Sequence, residues 1–294
     1  MKFFRSSKPV PDEEIKNGGL LLTVEHASKR FGKKEVLKDL SLTLRKGETL
    51  TVLGRSGEGK SVLLKLVSGL LIPENGTVVY RGKNVPDASE RQLAELRGHM
   101  GFLFQGGALF DSMTVGQNLE LFLVSHTRLS PKEREEKILH ALEMVELFDV
   151  IDLMPSELSG GMKKRAGLAR SIVLEPEMML YDEPTTGLDP LTAASIAELI
   201  LSLQTKLGIA SIVVTHDLPT AFTVSDRTLV LNGGVAVFEG TMPELAKSSD
   251  EFLHKYLDAS RLDLTRRERI LNDISENAEH STNATAQLET PSKQ

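Results

Sequence analysis

The stretch from Gly54 to Ser61, GRSGEGKS, combines glycines, a lysine and a hydroxyl in the spacing that holds nucleotide phosphates. Glycines let the backbone fold around phosphate oxygens, so that successive N–H groups and a helix start supply positive potential. Lys60 is expected to reach the β- and γ-phosphates, and the Ser61 hydroxyl is expected to ligate Mg²⁺. The predicted ATP site comprises Gly54, Arg55, Ser56, Gly57, Glu58, Gly59, Lys60, Ser61 and Val62.

Glu58 is an unusual member of this loop, because it adds a carboxylate beside bound anions. We expect only its backbone to face the phosphates and its side chain to point to water.

Two adjacent acids, Asp182 and Glu183, follow the apolar run MMLY. At the tip of a strand, the first carboxylate would point toward a metal ion and the second toward an attacking water molecule. Asp182 is therefore predicted to help hold Mg²⁺. Glu183 is predicted to act as general base or to position the water.

The segments around these residues predict the elements that carry them. Apolar runs of strand length precede Gly54, Asp182 and His216, and the phosphate loop leads into an apolar helix. A helical segment that is expected to end at Gly208 separates the last two runs, which favours parallel strands in a buried sheet. Turn sequences at Asn75-Gly76 and Gly233-Gly234 predict two hairpins.

Composition limits the class of protein. With 294 residues, 40% hydrophobic and 26% charged, the chain has enough apolar material for a core of ordinary size. It has no cysteine, which excludes disulfides, and its net charge of −6 argues against nucleic acid as a partner. No apolar run approaches the ~20 residues of a membrane span, and the first residues lack the apolar centre of a signal peptide. We expect a cytoplasmic location.

A further segment, LSGGMKKR at 158–165, resembles the signature motif of ABC ATPases. DEPTTGLDP from Asp182, VVTHD around His216 and FLFQ ending at Gln105 match other motifs of that family in order. The resemblance covers about residues 20–248 and implies an α/β fold of the P-loop NTPase class. That fold has a mixed sheet core, with a RecA-like part and an antiparallel β part, and a helical signature subdomain at about 106–174. Residues 1–19 are expected to be a flexible lead, and 249–294 a helical extension with a disordered tail.

The signature implies that one chain builds only part of each site. Ser159, Gly160 and Gly161 lie at a predicted helix start, where a hydroxyl and free N–H groups bind anions. In the family this anion is the γ-phosphate of the partner subunit's nucleotide. The resemblance therefore implies a head-to-tail dimer of identical subunits over two ATP molecules, with Asp189 communicating across the interface.

The same resemblance implies three more contacts with the nucleotide. His216 would contact the γ-phosphate, and Gln105 would touch Mg²⁺ and link the site to a membrane partner. Phe31 would stack on adenine.

Finer features are similar to the ATPases of MCE-associated, Mla-type phospholipid transport systems. Met162 ends the signature where Gln is usual, and Val62 replaces the usual Thr or Ser. The run GALFDSMTV at 107–115 also recurs in that group. This likeness implies a motor on the cytoplasmic face of the inner membrane, bound through about residues 105–118 to a multi-pass permease that carries an MCE-domain protein.

Two alternatives stay open at this stage. One is an ABC ATPase that serves an importer of small polar solutes such as amino acids, and the other is a soluble ABC ATPase without a transport role. The segment 249–294 could bind the second ATPase or a small regulator, or have no partner.

Overall fold

The computed structural model describes residues 19–258. The predicted flexible lead, apart from Gly19, and the part of the predicted extension from 259 to 294 lie outside the described residues. The strands in the described range are β1 (Leu20–Phe31), β2 (Lys34–Arg45), β3 (Thr49–Leu53), β4 (Asn75–Tyr80), β5 (Lys83–Asn84), β6 (Met100–Leu103), β7 (Met178–Asp182), β8 (Ala210–Thr215), β9 (Arg227–Asn232) and β10 (Val235–Gly240).

The helices in the same range alternate with the later strands. They are α1 (Lys60–Val67), α2 (Glu90–Arg97), α3 (Val115–His126), α4 (Pro131–Met144), α5 (Gly160–Ile172), α6 (Pro190–Leu207), α7 (Leu218–Val224), α8 (Met242–Ala246) and α9 (Glu251–Asp258). Short 3-10 turns lie at Val85–Asp87 and Pro155–Glu157.

Two sheets form the framework. Six strands pair in the order β10-β9-β3-β8-β7-β6, with all neighbours parallel except β10 against β9. Four strands pair antiparallel in the order β2-β1-β4-β5. The parallel pairing of β7 with β8 confirms the prediction made from their apolar runs.

The register of the parallel sheet brings the functional loops to one edge. Leu53 at the end of β3 lies opposite Thr215 at the end of β8, and Asp182 at the end of β7 lies opposite Val214. Parallel strands present their carboxyl ends on the same side, which is where open α/β sheets bind ligands. The loops after these three strands therefore meet.

Strand β7 separates two apolar cores by the alternation of its side chains. Met178 and Leu180 join the core under α1 and the antiparallel sheet, whereas Met179 and Tyr181 join the core under the helices α3 to α6. Burial on both faces explains why the run reads as continuously apolar in the sequence.

Local sequence fixes the helix ends near the site. Ser159 accepts a hydrogen bond from the backbone N–H of Met162 and begins α5, and Asp189 accepts from Thr192 N–H and begins α6. Gly208 ends α6 with φ of 62°, a conformation that glycine adopts without strain. The predicted end of this helix at Gly208 is confirmed.

The hairpin predicted at Asn75-Gly76 is wrong. Both residues lie inside β4, and the chain turns instead at Arg81 and Gly82, before β5. Gly76 serves a close approach, because a Cβ there would lie 2.3 Å from the carbonyl oxygen of Glu25, where β1 bulges. The second predicted hairpin, at Gly233-Gly234, is confirmed between β9 and β10.

None of the helices within residues 19–258 combines the length and apolar character that crossing a bilayer requires.

Candidate nucleotide site

Five polar residues from three loops meet at the carboxyl edge of the parallel sheet. Lys60 and Ser61 begin α1 after β3, Asp182 ends β7 and is followed by Glu183, and His216 follows β8. Their side chains contact one another directly. The sequence predicted all five, and the fold brings them together as the charged cluster of the site.

Close packing fixes the shape of the phosphate loop. Gly59 has φ of 98°, and a Cβ at this position would lie 2.9 Å from the carbonyl oxygen of Val36 and 2.7 Å from Leu37. A Cβ on Gly54 would lie 2.9 Å from the carbonyl oxygen of Leu231. Both positions need glycine because neighbouring backbone passes too near for a side chain.

The side chain of Lys60 is only 6% exposed. Its ammonium group donates to the carbonyl oxygens of Gly54 at 2.8 Å and Arg55 at 3.1 Å, and it lies 3.1 Å from the Glu183 carboxylate. A buried ammonium needs such partners because desolvation of an unpaired charge is costly. The loop thus folds around the cation that would bind phosphate.

The backbone at Glu183 has φ of 49°, an uncommon conformation for a residue with a side chain. Its N–H donates to the carbonyl oxygen of Val214 at 2.9 Å, which ties the turn after β7 to β8. The carboxylate accepts hydrogen bonds from the Thr186 hydroxyl at 3.2 Å and from the Thr215 hydroxyl at 3.2 Å. Strain at this position persists because the surrounding bonds hold it.

The two acids differ in their protonation. Burial raises the pKa of Glu183, but the hydrogen bond from His216 at 2.8 Å and the charge of Lys60 oppose this, and the net pKa is lowered. Burial also raises the pKa of Asp182, and there the hydrogen bond from Ser61 at 2.9 Å does not overcome the effect. Glu183 is therefore the more firmly ionised of the pair.

The side chain of Glu58 does not point to water as expected. Its carboxylate accepts a hydrogen bond from the backbone N–H of Gly233, in the turn between β9 and β10. The expectation failed because that turn is 175 residues away in sequence and gives no local sign of its position. Glu58 thus fastens the phosphate loop to the edge of the sheet.

The signature residues lie apart from the charged cluster. Ser159 and Gly160 are exposed at the start of α5, and the hydroxyl of Ser159 accepts from Met162 N–H at 3.3 Å. A Cβ on Gly161 would lie 2.8 Å from Thr192, so this glycine permits close packing of α5 against α6. The side chain of Met162 packs against the second core, where a thioether fits better than an amide.

Gln105 lies beyond the end of β6 with an exposed side chain. Its carbonyl oxygen accepts a hydrogen bond from Lys164, which is buried. Among the hydrogen bonds found within residues 19–258, none joins the Gln105 side chain to the charged cluster. Its contact with Mg²⁺ stays a prediction.

Three buried polar residues that sequence reasoning missed hold the loop after Gln105. Lys164 and Arg170 on α5 donate to backbone carbonyls of this loop, with Arg170 reaching Gly107 at 3.1 Å. Asn118 on α3 is fully buried, accepts from Phe110 N–H at 2.7 Å and donates to its carbonyl oxygen at 3.1 Å. Charged or amide residues inside otherwise apolar helical faces were the available indication.

The remaining predicted residues lie around this centre. Phe31 is half-exposed at the end of β1, with the Lys29 ammonium 5.8 Å from its ring centroid. The side chain of Val62 packs against the first core. Asp189 caps α6, and the hydrogen bond from the Thr192 hydroxyl lowers the pKa of its carboxylate.

The described part of the chain contains no metal site built from protein side chains alone. No group of three or more His, Cys, Asp or Glu residues suited to a metal ion occurs in the range 19–258. The Ser61 hydroxyl and the Asp182 carboxylate are nonetheless hard oxygen donors 2.9 Å apart, of the kind that binds Mg²⁺ together with substrate phosphates.

Comparison with known families identifies the arrangement. A family model described as "ABC transporter" matches residues 37–186. The chain is 38% identical over 230 residues to the "Intermembrane phospholipid transport system ATP-binding protein MlaF" of Haemophilus influenzae. This match covers 78% of this chain and 87% of that protein. It is 37% identical over 244 residues to the "Probable ribonucleotide transport ATP-binding protein mkl" of Mycobacterium tuberculosis, with coverage of 83% and 68%.

A solved structure agrees with the fold. The dimeric, post-hydrolysis state of the ATP-binding cassette MJ0796, bound to ADP and Pi, superposes with a TM-score of 0.70 at 30% identity. The match covers 76% of this chain and 99% of that one. The predicted fold class is confirmed.

Proposed function

Because this chain belongs to the ABC transporter family and is an ATPase of that family, we propose that it is the motor subunit of a transporter for phospholipid or another hydrophobic substrate. The observation that carries the catalytic part of the proposal is the charged cluster at the carboxyl edge of the sheet. Lys60 and His216 both contact Glu183 there, and a phosphate loop surrounds the lysine.

In the proposed reaction, ATP phosphates take the place of the backbone carbonyls and the Glu183 carboxylate as partners of Lys60. Release from Lys60 leaves Glu183 ionised and held by His216, so that it can accept a hydrogen bond from the attacking water. His216 is 54% exposed on its side chain and lies at the same edge, where it can contact the γ-phosphate. Positioning and electrostatics of this kind account for most of the catalysis of phosphoryl transfer.

Ser61 and Asp182 would hold Mg²⁺ with the nucleotide, and Gln105 would approach it from the loop after β6. When bound, the ion neutralises charge that develops on the phosphates. Phe31 would stack on the adenine, because its exposed ring ends β1, which pairs with β2, the strand whose Val36 and Leu37 lie beside Gly59 of the phosphate loop.

The second half of each site would come from another copy of the chain. Ser159, Gly160 and Gly161 present a hydroxyl and helix N–H groups to solvent, which suits the γ-phosphate of a partner's ATP. The dimeric state of MJ0796 supports a dimer, and we infer a head-to-tail homodimer in which Asp189 lies near the interface.

The membrane partner would bind the loop and helix at about residues 105–118. Phe110 is 48% exposed in this segment although its backbone is fixed by Asn118, so a large apolar side chain is presented on a rigid support. Exposed apolar surface of this kind marks partner sites. We propose that the partner is a multi-pass permease of the inner membrane carrying an MCE-domain protein, with this chain on the cytoplasmic face. The proposed boundaries are 20–248 for the ATPase domain, about 106–174 for its helical subdomain, and 249 onward for an extension.

The phospholipid assignment draws its support from the name of MlaF, and from the resemblance to that group at Met162 and Val62. A polar substrate is the second candidate, because the name of Mkl concerns ribonucleotide transport. A soluble ATPase without a transport role has no comparable support.

The proposal can be tested by purifying the tagged full chain from detergent-extracted membranes. We expect a multi-pass membrane protein and an MCE-domain protein to copurify, and Phe110→Asp to abolish this. Ile72→Asp is the matched control, since Ile72 is an exposed aliphatic residue, 60% exposed, outside the segment 105–118. In reconstituted vesicles, hydrolysis by the complex should respond to phospholipid and not to ribonucleotides.

Equal copurification with the Phe110→Asp and Ile72→Asp variants would contradict the assigned contact. Stimulation by ribonucleotides in place of phospholipid would overturn the substrate class.

A further inference from the structure

The helix α9 lies outside the residues matched by the ABC transporter family model, yet it packs beside the nucleotide site. Leu253 is its anchor and is only 2% exposed. It belongs to a small core with Leu53, which precedes the phosphate loop, and Leu218, which follows the His216 turn. The helix is therefore fixed to the bases of both loops.

The start of α9 is defined by its own sequence. Asp250 accepts hydrogen bonds from the backbone N–H groups of Phe252 at 2.9 Å and Leu253 at 3.1 Å. Such a cap sets the direction of the first turn. Phe252 and Tyr256, four residues apart, then share one face of the helix and stack with ring centroids 6.1 Å apart.

Phe252 contacts the phosphate loop. The guanidinium carbon of Arg55 lies 5.6 Å from the centroid of the Phe252 ring, within the range of a cation–π contact. The carbonyl oxygen of Arg55 is also one of the acceptors that hold Lys60. One residue of the loop thus contacts α9 through its side chain and the catalytic lysine through its backbone.

Tyr256 contacts the other loop. Its hydroxyl donates to the carbonyl oxygen of His216 at 3.4 Å. Burial raises the pKa of Tyr256 to about 12 and the charge of Glu183 adds to this effect, while a hydrogen bond with the backbone of Gly54 opposes it. The phenol is therefore a neutral donor at physiological pH, and it lies between the first residue of the phosphate loop and the turn that carries His216.

We propose that Tyr256 is a positioning residue for ATP hydrolysis, acting through His216. Helix α9 contacts the phosphate loop through Phe252 and the His216 turn through the Tyr256 hydroxyl, which thereby holds the imidazole in position relative to Glu183 and the γ-phosphate. This rests on the role proposed for His216. A separation of 3.4 Å is long for a hydroxyl donor, and the apolar anchor at Leu253 and the Arg55 contact therefore supply most of the binding of α9, while the hydroxyl supplies direction.

The test compares two tyrosines that make similar bonds in different places. Tyr80 in β4 donates to the carbonyl oxygen of His99 at 3.3 Å and is fully buried, away from the charged cluster. In the full chain with ATP and Mg²⁺, Tyr256→Phe should lower kcat by about three- to tenfold with KM for ATP changed less than about twofold. Tyr80→Phe should lower the melting temperature and leave kcat unchanged.

A double-mutant cycle with His216→Ala identifies the route of the effect. If Tyr256 acts through His216, adding Tyr256→Phe to His216→Ala should lower kcat no further. An equal loss in both backgrounds would overturn the proposal, and so would a Tyr256→Phe variant with normal kcat.

Hydrolysis by the two single variants distinguishes a failure of the role proposed for His216 from a failure of the role proposed for Tyr256. Unchanged hydrolysis in His216→Ala alone would remove the role proposed for that histidine, and with it this inference. Loss of hydrolysis in His216→Ala together with normal hydrolysis in Tyr256→Phe would remove the inference about Tyr256 alone. Equal melting temperatures of the Tyr256→Phe and parent proteins are expected, and a large drop with a raised KM would indicate a purely structural contact and would contradict the proposal.

Discussion

The phosphate-loop region and the signature region of this chain both present backbone N–H groups for anions, but they differ in what surrounds them. At the phosphate loop, Lys60, Glu183 and His216 are held by one another and by neighbouring strands. At the signature, the exposed Ser159 contacts its own helix, and a Cβ on Gly160 would meet only Leu188, at an ordinary 3.5 Å. The phosphate-loop region is preorganised by the fold, whereas the signature region is exposed to solvent.

If each site is divided between two chains as proposed, this difference predicts that a single chain binds nucleotide but needs a partner to hydrolyse it. A preorganised cluster of charges lowers the barrier without reorganisation at the moment of reaction. The signature has the chemistry of an anion site but no catalytic group beside it. In the proposed dimer, its effect would depend on docking against the phosphate-loop region of another copy.

The largest effect is expected from a substitution in the phosphate-loop region. Glu183→Gln keeps the shape of the side chain but removes the charge that faces Lys60 and the water. Hydrolysis should fall by about 10²- to 10⁴-fold while ATP still binds, and an ATP-bound dimer should accumulate. Gel filtration with ATP and phosphate release measure the two outcomes. Normal turnover would contradict the assignment of Glu183.

The next largest effect is expected from a substitution in the signature region that leaves the fold intact. A Cβ on Gly160 would meet Leu188 at an ordinary 3.5 Å, and an acidic residue is favourable in the first turn of α5. Gly160→Asp should therefore keep its melting temperature, yet repel the partner's γ-phosphate and lower hydrolysis by about 100-fold.

Mixing two inactive variants tests this prediction more directly. Lys60→Ala damages the phosphate-loop region, so a mixed dimer of Lys60→Ala with Gly160→Asp has one site with both regions intact. The mixture should hydrolyse ATP faster than either variant alone. No gain on mixing, with mixed dimers detected, would contradict the division of each site between two chains.

The smallest effect concerns a contact that supports the phosphate loop without touching the nucleotide. Glu58→Ala removes the acceptor for Gly233 N–H and should lower the free energy of unfolding by about 1 kcal/mol, with hydrolysis changed less than about threefold. Glu58→Gln retains an acceptor oxygen and is the control. A marked gain in ATP affinity in Glu58→Gln would show that the carboxylate faces the phosphates after all.

The sequence by itself determined the class of the protein and most of its chemistry. A phosphate loop and a signature need particular residues at fixed local spacing, because successive N–H groups must converge on one anion. Gly54 to Ser61, the acidic pair and the helix end at Gly208 could therefore be predicted. Local spacing misled at Asn75-Gly76, where the glycine is required by a neighbouring strand and not by a turn.

Only the tertiary structure decided the contacts between residues far apart in the chain. Glu58 with Gly233, Lys164 with the loop after Gln105, and Tyr256 with His216 are each set by how elements pack. Such pairs leave no periodic pattern, since a hydrogen bond between distant segments depends on the register and crossing of whole elements. The composition of the loops identified the nucleotide, and the packing of α9 and the hairpin revealed what holds those loops in place.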